Sequence, residues 1–115
     1  MIPEHLSHLL PDTATFSSKG VFHIANHAIP DLARQYGTPL FLFDRQTIVN
    51  ACHSYTQAFH TQYAASSVQI RYAAKAYLSP LLARLIVEQG MGLDVVSGGE
   101  LVVAQVANVP MEHIS

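Results

Sequence analysis

Three apolar segments, TPLFLF (38–43), SVQIRYAAK (67–75) and GLDVVS (92–97), are each followed by a helix-start signal. This repetition constrains the fold more than any other feature. Asp44 follows the first segment and is placed to cap a helix over 45–62, with Ile48, Ala51, Cys52, Tyr55, Phe59 and Tyr63 on one stripe. Ser79-Pro80 follows the second, an N-cap with proline at the first helical position, and predicts a helix over 80–89 closed by Gly90. Ser97 and Glu100 follow the third in the spacing of a capping box, ahead of a helix ending near Asn108 before Pro110. Upstream, VFHI (21–24) reads as a short strand. PDLARQYG (30–37) reads as a short helix with Pro30 and Asp31 in its first turn and Gly37 past its end. HIS (113–115) reads as the approach to a further strand, and residues 1–20 as a loosely tied N-terminal extension.

Strands that are apolar on both faces, alternate with helices and lack hairpin signals imply a parallel sheet covered by helices. An open dinucleotide-binding sheet would carry a glycine-rich turn after its first strand, whereas this strand runs into FDRQTI without a glycine. Units of a (β/α)8 TIM-type barrel fit better. A closed barrel takes about 250 residues, so the 115 residues read as its opening portion, incomplete in this chain.

Composition supports a packed domain: 50% of residues are hydrophobic and 12% charged. A net charge of −2 without a basic stripe argues against nucleic acid as a partner. No apolar run approaches the roughly 20 residues of a membrane span, and the first residues do not read as a signal peptide. Cys52, the single cysteine, cannot form an internal disulfide and fits a cytoplasmic location. His5/His8 and His23/His27 invite a metal reading. The second pair, however, falls in a strand-to-turn segment where a spacing of four does not share a face, and no CxxC or HExxH accompanies either pair. No metal site is expected. His53 and His60 mark an exposed or interface face of the 45–62 helix.

In α/β folds the chemistry gathers at the carboxyl ends of the strands. Asp44, Lys75 and Asp94 occupy those positions. Capping explains Asp44. Lys75 serves no cap, since Ser79 starts the helix four residues later and a helix start disfavours a cation. It reads either as a rim lysine reaching solvent along its stem or as a Schiff-base lysine with Asp94 on the neighbouring strand as its carboxylate. A local backbone role for Asp94 stays open beside that.

The segments ARQYGTPLFLFD (33–44), RYAAKAYLSPLLARLIVEQGMGLDVVSGGEL (71–101) and ANVPMEHI (107–114) resemble the diaminopimelate decarboxylases. These are pyridoxal-phosphate (PLP) enzymes of the alanine-racemase-like, fold type III group. The resemblance runs from about Val21 to Ser115, and YAxKA followed by LDVVSGGEL is its specific part. It implies that residues 21–115 are the N-terminal part of a PLP-binding barrel domain. It implies that Lys75 is both the catalytic lysine and the residue that carries PLP, with Asp94 in the cofactor site. The implied reaction is decarboxylation of meso-diaminopimelate to L-lysine and CO2, the last step of lysine biosynthesis. The implied assembly is a homodimer with shared active sites, whose small-molecule partner is an amino acid. Ser97, Gly98, Gly99 and Glu100 match the motif, yet capping and close packing explain them.

The pattern also departs from the family. Tyr77 stands where many relatives have asparagine, and AYLSP lacks the continuation expected of a racemase. The resemblance implies further parts beyond residue 115: a histidine stacked on the PLP ring, a glycine-rich phosphate loop, a substrate-binding arginine, a cysteine-bearing segment shared across the dimer, and a C-terminal β-domain that the strand near 21–24 would join. Cys52 does not match that cysteine and reads as core. A sibling decarboxylase of another basic amino acid or a carboxylated polyamine, and a non-catalytic truncated product, are the alternatives.

Overall fold

A computed structural model of the chain describes residues 4–63 and 68–115. The chain divides into two compact units, Met1–Ile48 and Val49–Ser115.

The first unit holds a three-stranded antiparallel meander of β1 (Thr15–Phe16), β2 (Phe22–Ile24) and β3 (His27–Ala28), followed by α1 (Ile29–Tyr36). This corrects the expectation that the chain lacks hairpins. Ala25 and Asn26 both have positive φ, 47° and 65°, and form the two-residue loop between the paired residues Ile24 and His27. That is the geometry of a hairpin whose twist matches the strands, and asparagine tolerates it readily. Alanine carries no signal for such a turn, so the dipeptide AN does not announce a hairpin. The Phe16 and Phe22 rings lie 5.0 Å apart on the paired strands.

Residues 12–16 are not loosely tied. Thr15 and Phe16 pair with His23 and Phe22, the Asp12 N–H donates to Thr47 Oγ1 at 2.8 Å, and Thr13 Oγ1 donates to Asp44 at 2.9 Å. Helix α1 runs as its signals predict, with Pro30 in its first turn, an exposed Asp31–Arg34 ion pair, and Gly37 at φ 84° beyond its end.

Residues 38–43 do not form the expected buried strand. No strand pairs with them among the described residues, Phe41 is 88% exposed, and the Thr38–Pro39 peptide is cis. An apolar sequence specifies burial, but a strand requires a second backbone to complete its ladder.

Asp44 caps α2 (Arg45–Gln62) as predicted. Its carboxylate accepts from the Gln46 and Thr47 N–H groups at 3.3 Å, from Thr13 Oγ1 and from Thr47 Oγ1. Desolvation is the largest single influence and pushes its pKa up. The hydroxyls of Thr47 and Thr13 and the two amides together outweigh it and hold the carboxyl below its ordinary value of 3.8. A depressed folded-state pKa contributes stability above the unfolded value, and this is lost as pH falls through the folded one. Asp44→Ala should therefore cost about 0.5–2 kcal/mol at neutral pH. The gap to wild type should close below about pH 4. Urea unfolding of both proteins at pH 7 and pH 3 checks this, and a gap that persists unchanged at pH 3 would assign the effect to something other than the charge.

The stripe expected on α2 is only partly buried. Val49 and Cys52 face the core, and burial raises the Cys52 thiol pKa. Tyr55, Phe59 and Tyr63 are 60%, 41% and 58% exposed, with the rings of Phe59 and Tyr63 stacked on each other.

The second unit is the α/β part. Strand β4 (Arg71–Ala73) lies parallel to β5 (Gly92–Asp94), in register Arg71 with Gly92, Tyr72 with Leu93 and Ala73 with Asp94. Of the segment expected as a strand over 67–75, Ser67 lies outside the described residues, and the chain turns at Ala74. A parallel bridge joins Leu93 to Ile114, and the Ser115 N–H donates to the Leu93 carbonyl at 2.9 Å, so the end of HIS lies alongside β5 as an approaching strand would, while His113 closes a 3₁₀ turn over Met111–His113.

Helix α3 (Pro80–Glu88) buries Leu82, Ala83, Leu85 and Ile86. The Ser79 hydroxyl caps it by accepting from the Leu82 N–H at 3.2 Å, and Gly90 takes φ 82° after its end. Helix α4 (Gly98–Val106) buries Ala104, and Asn108 at φ 55° terminates it. Met91, Leu93, Ala107 and Val109 complete the core. Gly92 has no room for a side chain, since a Cβ there would meet the His113 carbonyl oxygen and Arg71 Nη1 at 2.8 Å. No helix among the described residues is long and apolar enough to cross a membrane.

Candidate active site

Strands β4 and β5 and the bridge at Ile114 run in the same direction, so their carboxyl ends lie along one edge. Lys75 follows β4 by two residues, in the middle of a 3₁₀ turn over Ala74–Ala76. Ala74 is buried at 2% and anchors the turn, while Lys75 is exposed. The Lys75 amine has no ion-pair partner among the described residues. No capping duty falls to it, because α3 starts four residues later on Ser79.

Asp94 ends β5 directly beside Ala73 and is exposed. No ion pair joins Lys75 and Asp94. Asp94 Oδ1 instead accepts from Ser115 Oγ at 3.3 Å, and Ser115 also accepts the Val95 N–H at 2.7 Å through its carbonyl. Two strand-end residues are thus joined by a hydroxyl that sequence reasoning missed. The approach of 113–115 to a strand was legible, but no spacing rule links Ser115 to Asp94.

The capping-box residues do what capping predicts, with one shift. Ser97 Oγ accepts from the Glu100 N–H at 3.2 Å, while Glu100 reaches one residue further back and accepts from the Val96 N–H at 2.9 Å. Both side chains are thereby occupied in holding the start of α4. Tyr72, also in the YAxKA motif, sends its hydroxyl to the Tyr77 carbonyl at 2.8 Å. Burial is the larger influence on its phenol and raises the pKa above the ordinary value, against a smaller lowering from that bond.

Among the described residues no cluster of three or more His, Cys, Asp or Glu side chains could hold a metal ion. PLP, by contrast, fits the residues present. It needs a reachable primary amine, and Lys75 is an exposed amine just past a strand end, without an ion-pair partner among the described residues and with a carboxylate on the adjacent strand.

Comparison with known proteins agrees with that chemistry. The family described as "Pyridoxal-dependent decarboxylase, pyridoxal binding domain" matches residues 45–115. The diaminopimelate decarboxylase of Mycobacterium leprae is 42% identical over 95% of this chain and 22% of its own length. That of Bacillus subtilis is 45% identical over 72% of this chain and 18% of its own. A crystal structure of diaminopimelate decarboxylase from M. jannaschii superposes with a TM-score of 0.77 at 34% identity, covering 90% of this chain and 24% of that one. A second structure of the M. jannaschii enzyme, in co-complex with L-lysine, superposes with a TM-score of 0.76 at 32% identity and the same coverage. The chain therefore spans about a quarter of the length of the proteins it matches. A chain with this motif, this parallel βα arrangement and this match over residues 45–115 belongs to the pyridoxal-dependent decarboxylases.

Proposed function

We propose that the full-length protein carrying this segment is a PLP-dependent decarboxylase that converts meso-diaminopimelate to L-lysine and CO2, the last step of lysine biosynthesis. The observation that carries the reading is Lys75. It is an exposed amine, without an ion-pair partner among the described residues, on the turn that follows β4, inside the stretch matching the pyridoxal-binding domain. Residues 21–115 supply the N-terminal part of the PLP-binding barrel domain, with 1–20 as an extension that adds β1 to the small sheet. The names of the relatives, and the L-lysine held by the M. jannaschii enzyme, support the substrate and product. The resemblance to the family supports a homodimer with shared active sites, and the single buried cysteine supports a cytoplasmic setting.

The roles divide between two side chains. Lys75 Nζ would hold the cofactor through its primary amine. The Asp94 carboxylate, steadied by Ser115 Oγ, orients that region of the site and balances positive charge near Lys75. PLP, when bound, supplies the electron sink for the pair released with CO2.

The test is to reduce the PLP-loaded full-length protein with borohydride and to assay L-lysine release from meso-diaminopimelate. A pyridoxyl group on the tryptic peptide Tyr72–Arg84 together with lysine formation supports the whole reading. A labelled peptide without lysine formation keeps the cofactor role and removes the substrate assignment. Other basic amino acids and carboxylated polyamines would then be assayed in its place.

A further inference from the structure

The turn that bears Lys75 is three residues long, Ala74–Ala76, and no side chain caps it at Ala73. Tyr72, just before it, is tied to Tyr77, just after it. Its hydroxyl donates to the Tyr77 carbonyl at 2.8 Å, linking the middle residue of β4 to the residue that follows the turn. Lys75 lies inside the loop this bond closes. Ala74, buried at 2%, pins the loop from the protein side, and the Tyr72 hydroxyl closes it from the other. The Tyr72 ring is half-buried, so its backbone and body are fixed and the hydroxyl is presented from a firm support.

We infer that Tyr72 is a positioning residue for Lys75: the bond from its hydroxyl to the Tyr77 carbonyl fixes the turn and thereby the point from which Lys75 Nζ projects. The inference rests on the reading of Lys75 as the cofactor lysine, and it concerns a tyrosine to which that reading assigns no role. The donor must be protonated to act. Burial raises the phenol above its ordinary value, so the clamp persists throughout the neutral range.

Tyr72→Phe removes the hydroxyl and keeps the ring, and it is tested in the full-length protein. Lys19 and Lys75 are the two lysines of these 115 residues, so Lys19 serves as the internal reference. The first readout is the rate at which an amine acylating reagent modifies Lys75 relative to Lys19 in the cofactor-free protein, measured by peptide mass spectrometry. Loss of the clamp should change that ratio by about two- to tenfold, the range of one hydrogen bond. The second readout is the pH midpoint of the visible absorbance of the PLP-loaded protein, which should move by about 0.3–1 unit on the same scale. Incorporating p-aminophenylalanine in place of Tyr72 keeps a donor at that site and should return both readouts to wild type.

An unchanged Lys75:Lys19 ratio in a folded Tyr72→Phe protein would overturn the inference. So would an aminophenylalanine protein that behaves like Tyr72→Phe. Loss of the fold in Tyr72→Phe would also count against it, assigning the hydroxyl to stability instead of positioning. If borohydride leaves no pyridoxyl group on Lys75 of the wild type, the cofactor reading fails, while the acylation ratio still decides the role of Tyr72.

Discussion

Lys75→Ala in the full-length protein should abolish lysine release from meso-diaminopimelate and the pyridoxyl label on Tyr72–Arg84, while leaving the fold intact. The fold should survive because Lys75 is exposed, makes no ion pair among the described residues and caps no helix. Surface changes of this kind shift stability by within about 0.5 kcal/mol. The activity should fall by at least roughly 10²–10⁴, because the variant loses both a nucleophilic amine and a group that can carry protons in the site. Lys75→Arg is the sharper control. It keeps the positive charge and the stem but cannot serve as an amine nucleophile at neutral pH, so it should be as inactive as alanine. If arginine retained substantial activity, Lys75 would be acting through charge alone and the covalent role would fall. Asp94→Asn should give a milder loss. It keeps an acceptor for Ser115 Oγ and removes only the charge, which separates orientation from charge balance. Lysine release measured side by side for the three variants decides between these roles.

The sequence was most legible where one local interaction specifies an element. Ser79-Pro80, Ser97 with Glu100, and Asp44 each announce a helix start through a cap that the folded chain makes. Of the strand expected over 92–97, Gly92–Asp94 forms ahead of the Ser97 cap, and of the approach at 113–115 a single parallel bridge from Ile114 to Leu93 forms. Two kinds of feature were not legible. Pairing is one: TPLFLF has the composition of a buried strand, but no partner backbone is encoded within it, and the chain leaves Phe41 exposed. Side-chain links between distant residues are the other. Nothing in the spacing of Thr13 and Asp44, or of Asp94 and Ser115, predicts their hydrogen bonds. The hairpin at Ala25-Asn26 falls between the two, a local signal weakened by an alanine at a positive φ of 47°. For the candidate site, the location of Lys75 and Asp94 at adjacent strand ends was readable, and the absence of an ion pair between them was not.

Leu93→Ala should be the most destabilising of the core truncations in the second unit. Leu93 is the largest fully buried side chain, at 0% exposure, and sits in the middle of β5. Its backbone lies beside Tyr72 on one side and bridges Ile114 on the other. Truncation removes apolar contacts and leaves a cavity lined by close-packed neighbours, and such losses cost about 2–5 kcal/mol depending on how far the site collapses. Collapse should be limited here. The neighbours available to move are held by α3, whose inward face is already packed, and by Gly92, where the chains approach too closely to admit even a Cβ. The upper half of the range is therefore expected. Leu81→Ala is the matched control, a leucine on α3 that is 78% exposed and should cost within about 0.5 kcal/mol. The urea midpoint should drop for Leu93→Ala alone. Hydrogen exchange should speed up locally at the Val95 and Ser115 amides, whose partners are the Ser115 and Leu93 carbonyls. Because Ser115 also holds Asp94, the same truncation should loosen the candidate site without touching Lys75. In the full-length protein, PLP should then be lost more readily from Leu93→Ala than from Leu81→Ala. Equal midpoints for the two leucine variants would mean that β5 is not a core strand of this unit.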